Sequence, residues 1–412
     1  ESVKTEPGKV LYITMGEQGA CIVQGDTSTL IPAVSATELD PTGAGDTFCG
    51  ATLAYLLQNA HPIMAARRAA SLAAEMITQI GPTALLLEDP PPQASLDARV
   101  QVNSGQVRDV AEVISTIPEA SPFPFDIPVV PPVGHPQALD YFFAFTLQQF
   151  SFWTVKNNHY DLPLIARIGG VELKGSDYLF EAYRRRVEDE ADFCSPERQA
   201  YLSRQELLEV FRADTGDDPM PALDLHLEMA HQYGQDMLAL ALTPRVVLQK
   251  ALKSAHPLGT FMGLLDHIGG YKEDPLRKKS SLLAMILNQR PEEFLPLRED
   301  EQITPVTDYH AMRSCLRFGL IDVIDEGLKK KLVDREVVLP AEEWAVRYAA
   351  YRATEQLIAL SGKGTGAVDW FLYTARKRCP EMSEPQCQNC PVDPVCAHRK
   401  ELFQPVLRTS FY

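Results

Sequence analysis

Residues 303–321 read ITPVTDYHAMRSCLRFGLI. Asp308 stands where a helix starts. A carboxylate there is most often an N-cap, accepting a hydrogen bond from a backbone N–H that the first turn leaves unpaired. By itself the position says no more than that, so its surroundings carry the argument. From Pro136 onward the pattern is almost wholly helical. Apolar residues recur three and four apart in QALDYFFAFTLQQF (137–150), SRQELLEVFRAD (203–214), ALDLHLEMAHQYGQDMLALAL (222–242) and AEEWAVRYAAYRATEQLIAL (341–360). A short strand pair is expected around RIGGVELKG, residues 167–175. Asp308 therefore belongs to a helical domain.

Further upstream the pattern changes twice. Pro118 to Pro136 is proline-rich and follows the helix-like VRDVAEVIS (107–115), so it reads as an internal loop. Leu87–Ser95, with DPPPQAS, cannot hold regular structure and reads as a linker, placed at residues 88–97. Before it lies an α/β piece. GKVLYITMG (8–16) and ACIVQGD (20–26) read as a hairpin-like strand pair. The helical runs TFCGATLAYLLQNA (47–60) and AARRAASLAAEMITQI (65–80) follow, ended by Gly81-Pro82. The expected architecture is mainly α: an α/β fragment at residues 1–87 and a helical domain at 98–412.

At 412 residues the chain is too long for one ordinary core. Hydrophobic residues are 45% and charged residues 23%, the balance of a soluble globular protein. No run of about eighteen apolar residues occurs, so no membrane span is expected. The opening ESVKTEPGKV has no initiator Met and neither the basic nor the apolar region of a signal peptide, and reads as a piece of a longer product. A formal net charge of −16 weighs against gripping a nucleic-acid polymer, which takes many Lys and Arg; a small anionic nucleotide takes only a few. Cys21, Cys49, Cys194 and Cys315 lie scattered among apolar neighbours and read as buried thiols. Cys379, Cys387, Cys390 and Cys396, spaced C-x7-C-x2-C-x5-C in RCPEMSEPQCQNCPVDPVCAHR, suit a metal centre in a reducing cytoplasm. Four thiolates fit zinc or an iron–sulfur cluster.

In the first piece, Asp40-Pro41-Thr42-Gly43-Ala44-Gly45-Asp46 opens a helix. Glycines at a helix N-terminus let backbone N–H groups point at an anion, and a neighbouring Asp can take a proton from a hydroxyl attacking a phosphoryl group. This resembles the D-T-x-G-A-G-D signature of the PfkB, ribokinase-like sugar and nucleoside kinases, and ITMGEQGA (13–20) resembles their nucleotide-binding turn. The resemblance implies Asp46 as base, Gly43, Ala44 and Gly45 as anion hole, Thr14 and Gly16 at the nucleotide, and ATP with Mg in a full-length kinase. It covers about the first 85 residues. The acceptor site and lid of such kinases come from an N-terminal part not present here, so the chain alone is not expected to be a competent kinase.

Pro305 to Leu320 resembles the V-D-T-H-V-x-R-V-x-x-R-L-G-L segment of helix–hairpin–helix DNA glycosylases, which carries their catalytic Asp. The endonuclease III branch adds C-x6-C-x2-C-x5-C around a 4Fe–4S cluster. The first cysteine gap here is one residue longer, which keeps zinc as an alternative. A closer resemblance spans most of residues 100–412, to the queuosine salvage family of queuosine 5′-phosphate N-glycosylases. It rests on LDYFFAFTLQQFSFW (139–153), LEVFRADTGDDPMPALDLHLEM (208–229), DPLRKKSSLLAMIL (274–287), ITPVTDYHAMRSCLRFGLI, EEWAVRYAAYRATEQL (342–357), VDWFLY (368–373) and RTSFY (408–412). It implies Asp308 as the catalytic aspartate and Lys278 at the 5′-phosphate. Phe150, Phe152 and Trp153 would stack on the base, while Asp214, Arg347 and Asp369 are further substrate residues and Glu343 accompanies Arg347. His226 stands where the family pattern has arginine, Tyr373 where it has tryptophan, and the cysteine cluster is not part of that pattern.

The chemistry agrees. Breaking an N-glycosidic bond builds positive charge on the sugar, which a carboxylate at C1′ stabilises or captures. The expected activity is hydrolysis of queuosine 5′-phosphate, or of a related modified nucleotide, to release queuine or the corresponding base, with a fused kinase module supplying the phosphate. Two alternatives stand beside it: an iron–sulfur DNA glycosylase, and a non-catalytic metal-stabilised module that regulates the kinase.

Overall fold

The computed structural model describes residues 4–6, 8–57, 61–78 and 96–412. The chain divides into two compact units, Glu1–Gln93 and Ala94–Tyr412. In the first, strands Val10–Thr14, Ala20–Gln24 and Thr27–Ile31 form an antiparallel sheet in chain order, with Val10 opposite Gln24 and Ala20 opposite Ile31. The expected hairpin is there, and a third strand extends it. Helices Ala44–Leu57 and Pro62–Met76 pack on each other. Buried Ala66 and Ala69 let the second helix lie close to Ile22, Ile31 and Phe48. Gly81, Pro82 and the proline-rich linker through Ser95 lie outside the described residues.

The second unit is built around the helix Pro340–Ser361, whose Ala349, Ala350 and Ala353 are fully buried. Small side chains there admit the helix Ser104–Thr116 and the helix Tyr309–Phe318. Every residue of Tyr309–Phe318 is buried. It stops at Gly319, which caps it at φ +81°; a Cβ there would sit 2.6 Å from the Ala397 Cβ, so only glycine fits. The chain then enters strand Ile321–Val323, which pairs antiparallel with Val100–Val102 and ties the start of the unit to its middle.

The expected strand pair is Ile165–Ile168 with Val171–Lys174, turning at Gly169 and Gly170. A second hairpin, Trp153–Lys156 with His159–Pro163, was not anticipated; it turns at Asn157 and Asn158, both at positive φ as a primed hairpin turn needs. The proline-rich stretch 118–136 holds no helix or strand, yet it is pinned: the buried Arg290 guanidinium donates to the carbonyls of Phe125 at 2.5 Å and Pro131 at 3.2 Å. The whole is mainly α behind an α/β fragment. No helix among the described residues is long and apolar enough to cross a membrane.

Candidate active site

A cavity of about 350 Å³ opens in the second unit where that pinned loop meets the N-terminal ends of helices Lys278–Gln289 and Tyr309–Phe318 and the helix Thr365–Thr374. Asp308 lines it. Its backbone is extended (φ −103°, ψ −174°) and its Oδ1 accepts from Ala311 N at 2.9 Å. The N-cap and the cavity wall are thus one residue, and Oδ2 takes no hydrogen bond from any described residue. Asp369 lines the same cavity from the helix Thr365–Thr374. Burial, and then the neighbouring Asp308 charge, push its carboxyl well above the usual carboxylate range, with Lys278 opposing. Lys278 is buried on the cavity floor and donates to Gln149 O at 3.0 Å. Burial lowers its pKa, against the pull of Asp308. Asp308, Asp369 and Lys278 therefore share a cavity whose lining also holds Asp177, Arg376 and Lys377.

Arg347 lies behind this group instead of inside the cavity. Its guanidinium grips Asp274 at 2.8 and 2.5 Å and donates to Thr307 O at 3.1 Å. Asp274 also accepts from Lys278 N at 2.9 Å and Leu276 N at 3.1 Å. One ion pair thus sets both Asp308, through the preceding Thr307, and the start of the Lys278 helix. Glu343 accepts from the Tyr412 hydroxyl at 2.8 Å, fixing that ring against the cavity. Asp274 went unnoticed in the sequence reading, since only its partner's position can give it a role.

The aromatic residues divide. Phe152 reaches the cavity. Phe150 is fully buried and stacked on His226 at 4.2 Å, and Trp153 packs on Tyr160 and Phe403. Burial holds His226 down at about 3, so it is a neutral core residue whose Nδ1 meets Gln148 Oε1 at 2.7 Å. The cavity's flat wall comes instead from Phe123 and Trp370, stacked 3.9 Å apart at 8°, with Tyr373 beside Trp370. The clue was the SPFPF run of the proline-rich stretch, two phenylalanines in a segment with no helix to bury them. Asp214 is exposed and accepts from Gly169 N and Gly170 N at 3.0 and 2.8 Å, clasping a hairpin turn away from the cavity lining.

The family model for queuosine salvage proteins matches residues 130–389, a span that holds this cavity's carboxylates and its lysine. The chain belongs to the queuosine salvage protein family. A role in queuosine salvage follows. The pfkB family carbohydrate kinase model matches residues 1–89, so the fusion expected from the sequence is present. Among curated proteins none matches the chain.

In the kinase-like unit, Thr14, Gly16, Ala44 and Gly45 line a cavity of about 590 Å³, with Gly43 just outside that lining at φ +88°. Asp46 is exposed on the first helical turn and is not among the lining residues. At the other end, the queuosine salvage match stops at residue 389, inside the cysteine segment. Cys379, Cys387, Cys390 and Cys396 are all free thiols. Burial pushes Cys396 up to about 11, and the charges of the other three add to the rise. Arg317 donates to Cys379 Sγ at 3.3 Å, and burial pushes the Cys390 thiol up while the Arg378 charge opposes the rise. Among the described residues the group able to hold a metal ion is Cys387 with Asp393 and His398, their ligand atoms within 4.8 Å of one another; no three of the four cysteines come that close together. His398 escaped the sequence reading because it lies beyond the last cysteine.

Proposed function

We propose that the unit Ala94–Tyr412 hydrolyses the N-glycosidic bond of queuosine 5′-phosphate, or of a closely related modified nucleotide, and releases queuine. The observation that carries this is the grouping of Asp308, Asp369 and Lys278 at one aromatic-walled cavity. Asp308 faces C1′ and stabilises the positive charge that grows as the bond to the base lengthens. Asp369 keeps its proton, since burial and Asp308 both disfavour its charged form, and delivers that proton to the departing base. Water completes the reaction at C1′, its hydroxyl joining the sugar and its proton restoring the acid. Lys278 balances the Asp308 carboxylate. The base lies against the Phe123–Trp370 stack, whose outer π-face suits a flat 7-deazaguanine.

The four cysteines hold a metal centre in this reading, a 4Fe–4S cluster with zinc as the alternative. Arg317 and Arg378 offset part of its thiolate charge. Four protein thiolates leave no open coordination position, so the centre supports structure. The PfkB-type module, when complete, supplies the 5′-phosphate from ATP. The test is to incubate the protein with queuosine 5′-phosphate and watch for free base. Release is expected, and no release from this substrate or a related modified nucleotide overturns the assignment.

A further inference from the structure

Between Arg376 and Pro391 one residue is buried, and it carries a charge. Glu381 is 3% exposed, while its neighbours on the cysteine segment are half-buried or exposed. Its Oε2 accepts from Lys174 Nζ at 2.8 Å, at the end of strand Val171–Lys174. Its Oε1 lies 3.4 Å from Arg313 Nη1 and 3.7 Å from His310 Nδ1, both on the Asp308 helix. The backbone beside it is held independently: Arg317 donates to Pro380 O at 2.8 Å, and Arg335 to Glu381 O at 3.2 Å. The segment therefore does not need this carboxylate to stay attached. Burying a charge is costly, and an apolar side chain of similar volume fills such a space without that cost. What the charge answers to is what it faces, Arg313 and His310.

Arg313 is 2% exposed, and among the described residues Glu381 is the carboxylate that pairs with it. Its other contacts are neutral. Nη1 donates to Gln404 Oε1 at 3.1 Å, and Nη2 lies 2.9 Å from His310 Nδ1. A guanidinium has only donors, so His310 Nδ1 accepts, and the hydrogen of the neutral ring sits on Nε2. Burial, and then the Arg313 charge, hold that ring neutral. His310 lines the cavity on the first turn of the Asp308 helix, where Tyr373 meets it edge-on at 5.3 Å. Glu381 does not line the cavity; it stands behind Arg313. Without its charge the guanidinium would be a buried cation lacking a counter-ion, free to turn away from His310. The ring would then lose the donor that fixes its tautomer.

We propose that Glu381 is a positioning residue of this site: it anchors Arg313, and through Arg313 it fixes the His310 ring on the cavity wall in one orientation and one tautomer. For its effect on turnover the proposal rests on the hydrolase reading above. It gives the cysteine segment a part in the reaction, as the element that delivers a carboxylate behind the wall.

Glu381→Gln in the full chain keeps the shape and removes the charge. Its kcat on queuosine 5′-phosphate, per folded molecule, is expected to fall about tenfold to a hundredfold, as for a group set out of place in a site. Glu381→Asp, which keeps the charge on a shorter stem, is expected to recover part of that loss. Nitrogen NMR of the His310 ring, assigned by its loss in His310→Phe, supplies a readout that needs no turnover. A protonated Nε2 with a bare Nδ1 is expected in the wild type, and a mixture of tautomers in Glu381→Gln. Because Glu381→Gln strands a buried guanidinium, the double variant Glu381→Met with Arg313→Met serves as the folding control. With both charges gone it is expected to melt nearer the wild type than Glu381→Gln does, and still to be slow. Wild-type tautomer and kcat in Glu381→Gln overturn the proposal, and so does a double variant that turns over as the wild type does. If the wild-type protein releases no base, the hydrolase reading falls alone, and the tautomer comparison still decides whether Glu381 sets the ring.

Discussion

Asparagine at position 308 keeps the cap and loses the charge, because an amide oxygen accepts from Ala311 N as a carboxylate does. Asp308→Asn is therefore expected to melt close to the wild type while base release falls by about a thousandfold or more. Asp308→Ala should lose the activity and, in addition, about 1 kcal/mol of stability with the cap. An active Asn variant would remove the carboxylate from the mechanism. Asp369 offers a test with a definite sign. Its carboxyl is raised when folded, so above an unfolded value of about 3.9 the folded state holds a proton that the unfolded chain has released, and its contribution to stability falls as pH rises toward the folded value. Asp369→Asn removes that slope. The melting temperature of the variant minus that of the wild type should grow from pH 5 to pH 8, and a flat difference would contradict the raised carboxyl. At this scale the sequence was half legible. Asp308 could be read as a helix start, but spacing alone could not show that it lines a cavity. Nor could it show that Phe150 and Phe152 part company: Ser151 between them sits at φ +61°, which sends one ring to the core and the other to the cavity.

Among the elements, long helices were legible and short pairings were not. The Pro340–Ser361 helix announces itself through repeated small and apolar residues. Trp153–Pro163 carries polar residues on both arms, so its hairpin character lies in the Asn157-Asn158 turn and not in any alternation. What ties the Lys278 helix to the start of the Asp308 helix is a contact between elements, the Arg347–Asp274 pair, which no local pattern reveals. Arg347→Met leaves Asp274 charged and buried and is expected to cost about 3–5 kcal/mol, with loss of base release. Adding Asp274→Leu should return part of the stability by removing the stranded charge. It should not return activity, since Lys278 N and Leu276 N lose their acceptor and the Lys278 helix its fixed start. Thermal melts and turnover of the single and double variants check this. Full recovery of turnover in the double variant would show that the pair holds the fold without aligning the site.

Over the whole second unit, the cysteine segment connects the ends of the two helices that bear the carboxylates. Cys379 follows the Asp369 helix after one short turn, and Arg317, near the end of the Asp308 helix, donates to Cys379 Sγ and to Pro380 O at 2.8 Å. Ala397 N and Arg399 N return hydrogen bonds to Phe318 O and Arg317 O, at the helix end that Gly319 closes. The segment has few apolar residues to bury, so the metal centre proposed for it would supply the order that a core supplies elsewhere. Removing the metal, or replacing Cys390 with Ser, should lower the melting temperature and open the segment to trypsin at Arg378, Arg399 or Lys400 first. Base release should fall in step with that opening and not ahead of it, because none of the four cysteines lines the cavity. Visible absorption in anaerobically purified protein identifies the iron–sulfur cluster, and stoichiometric zinc in colourless protein identifies the alternative. If neither metal is present and Cys390→Ser melts and turns over as the wild type does, the segment holds these helices through its hydrogen bonds alone.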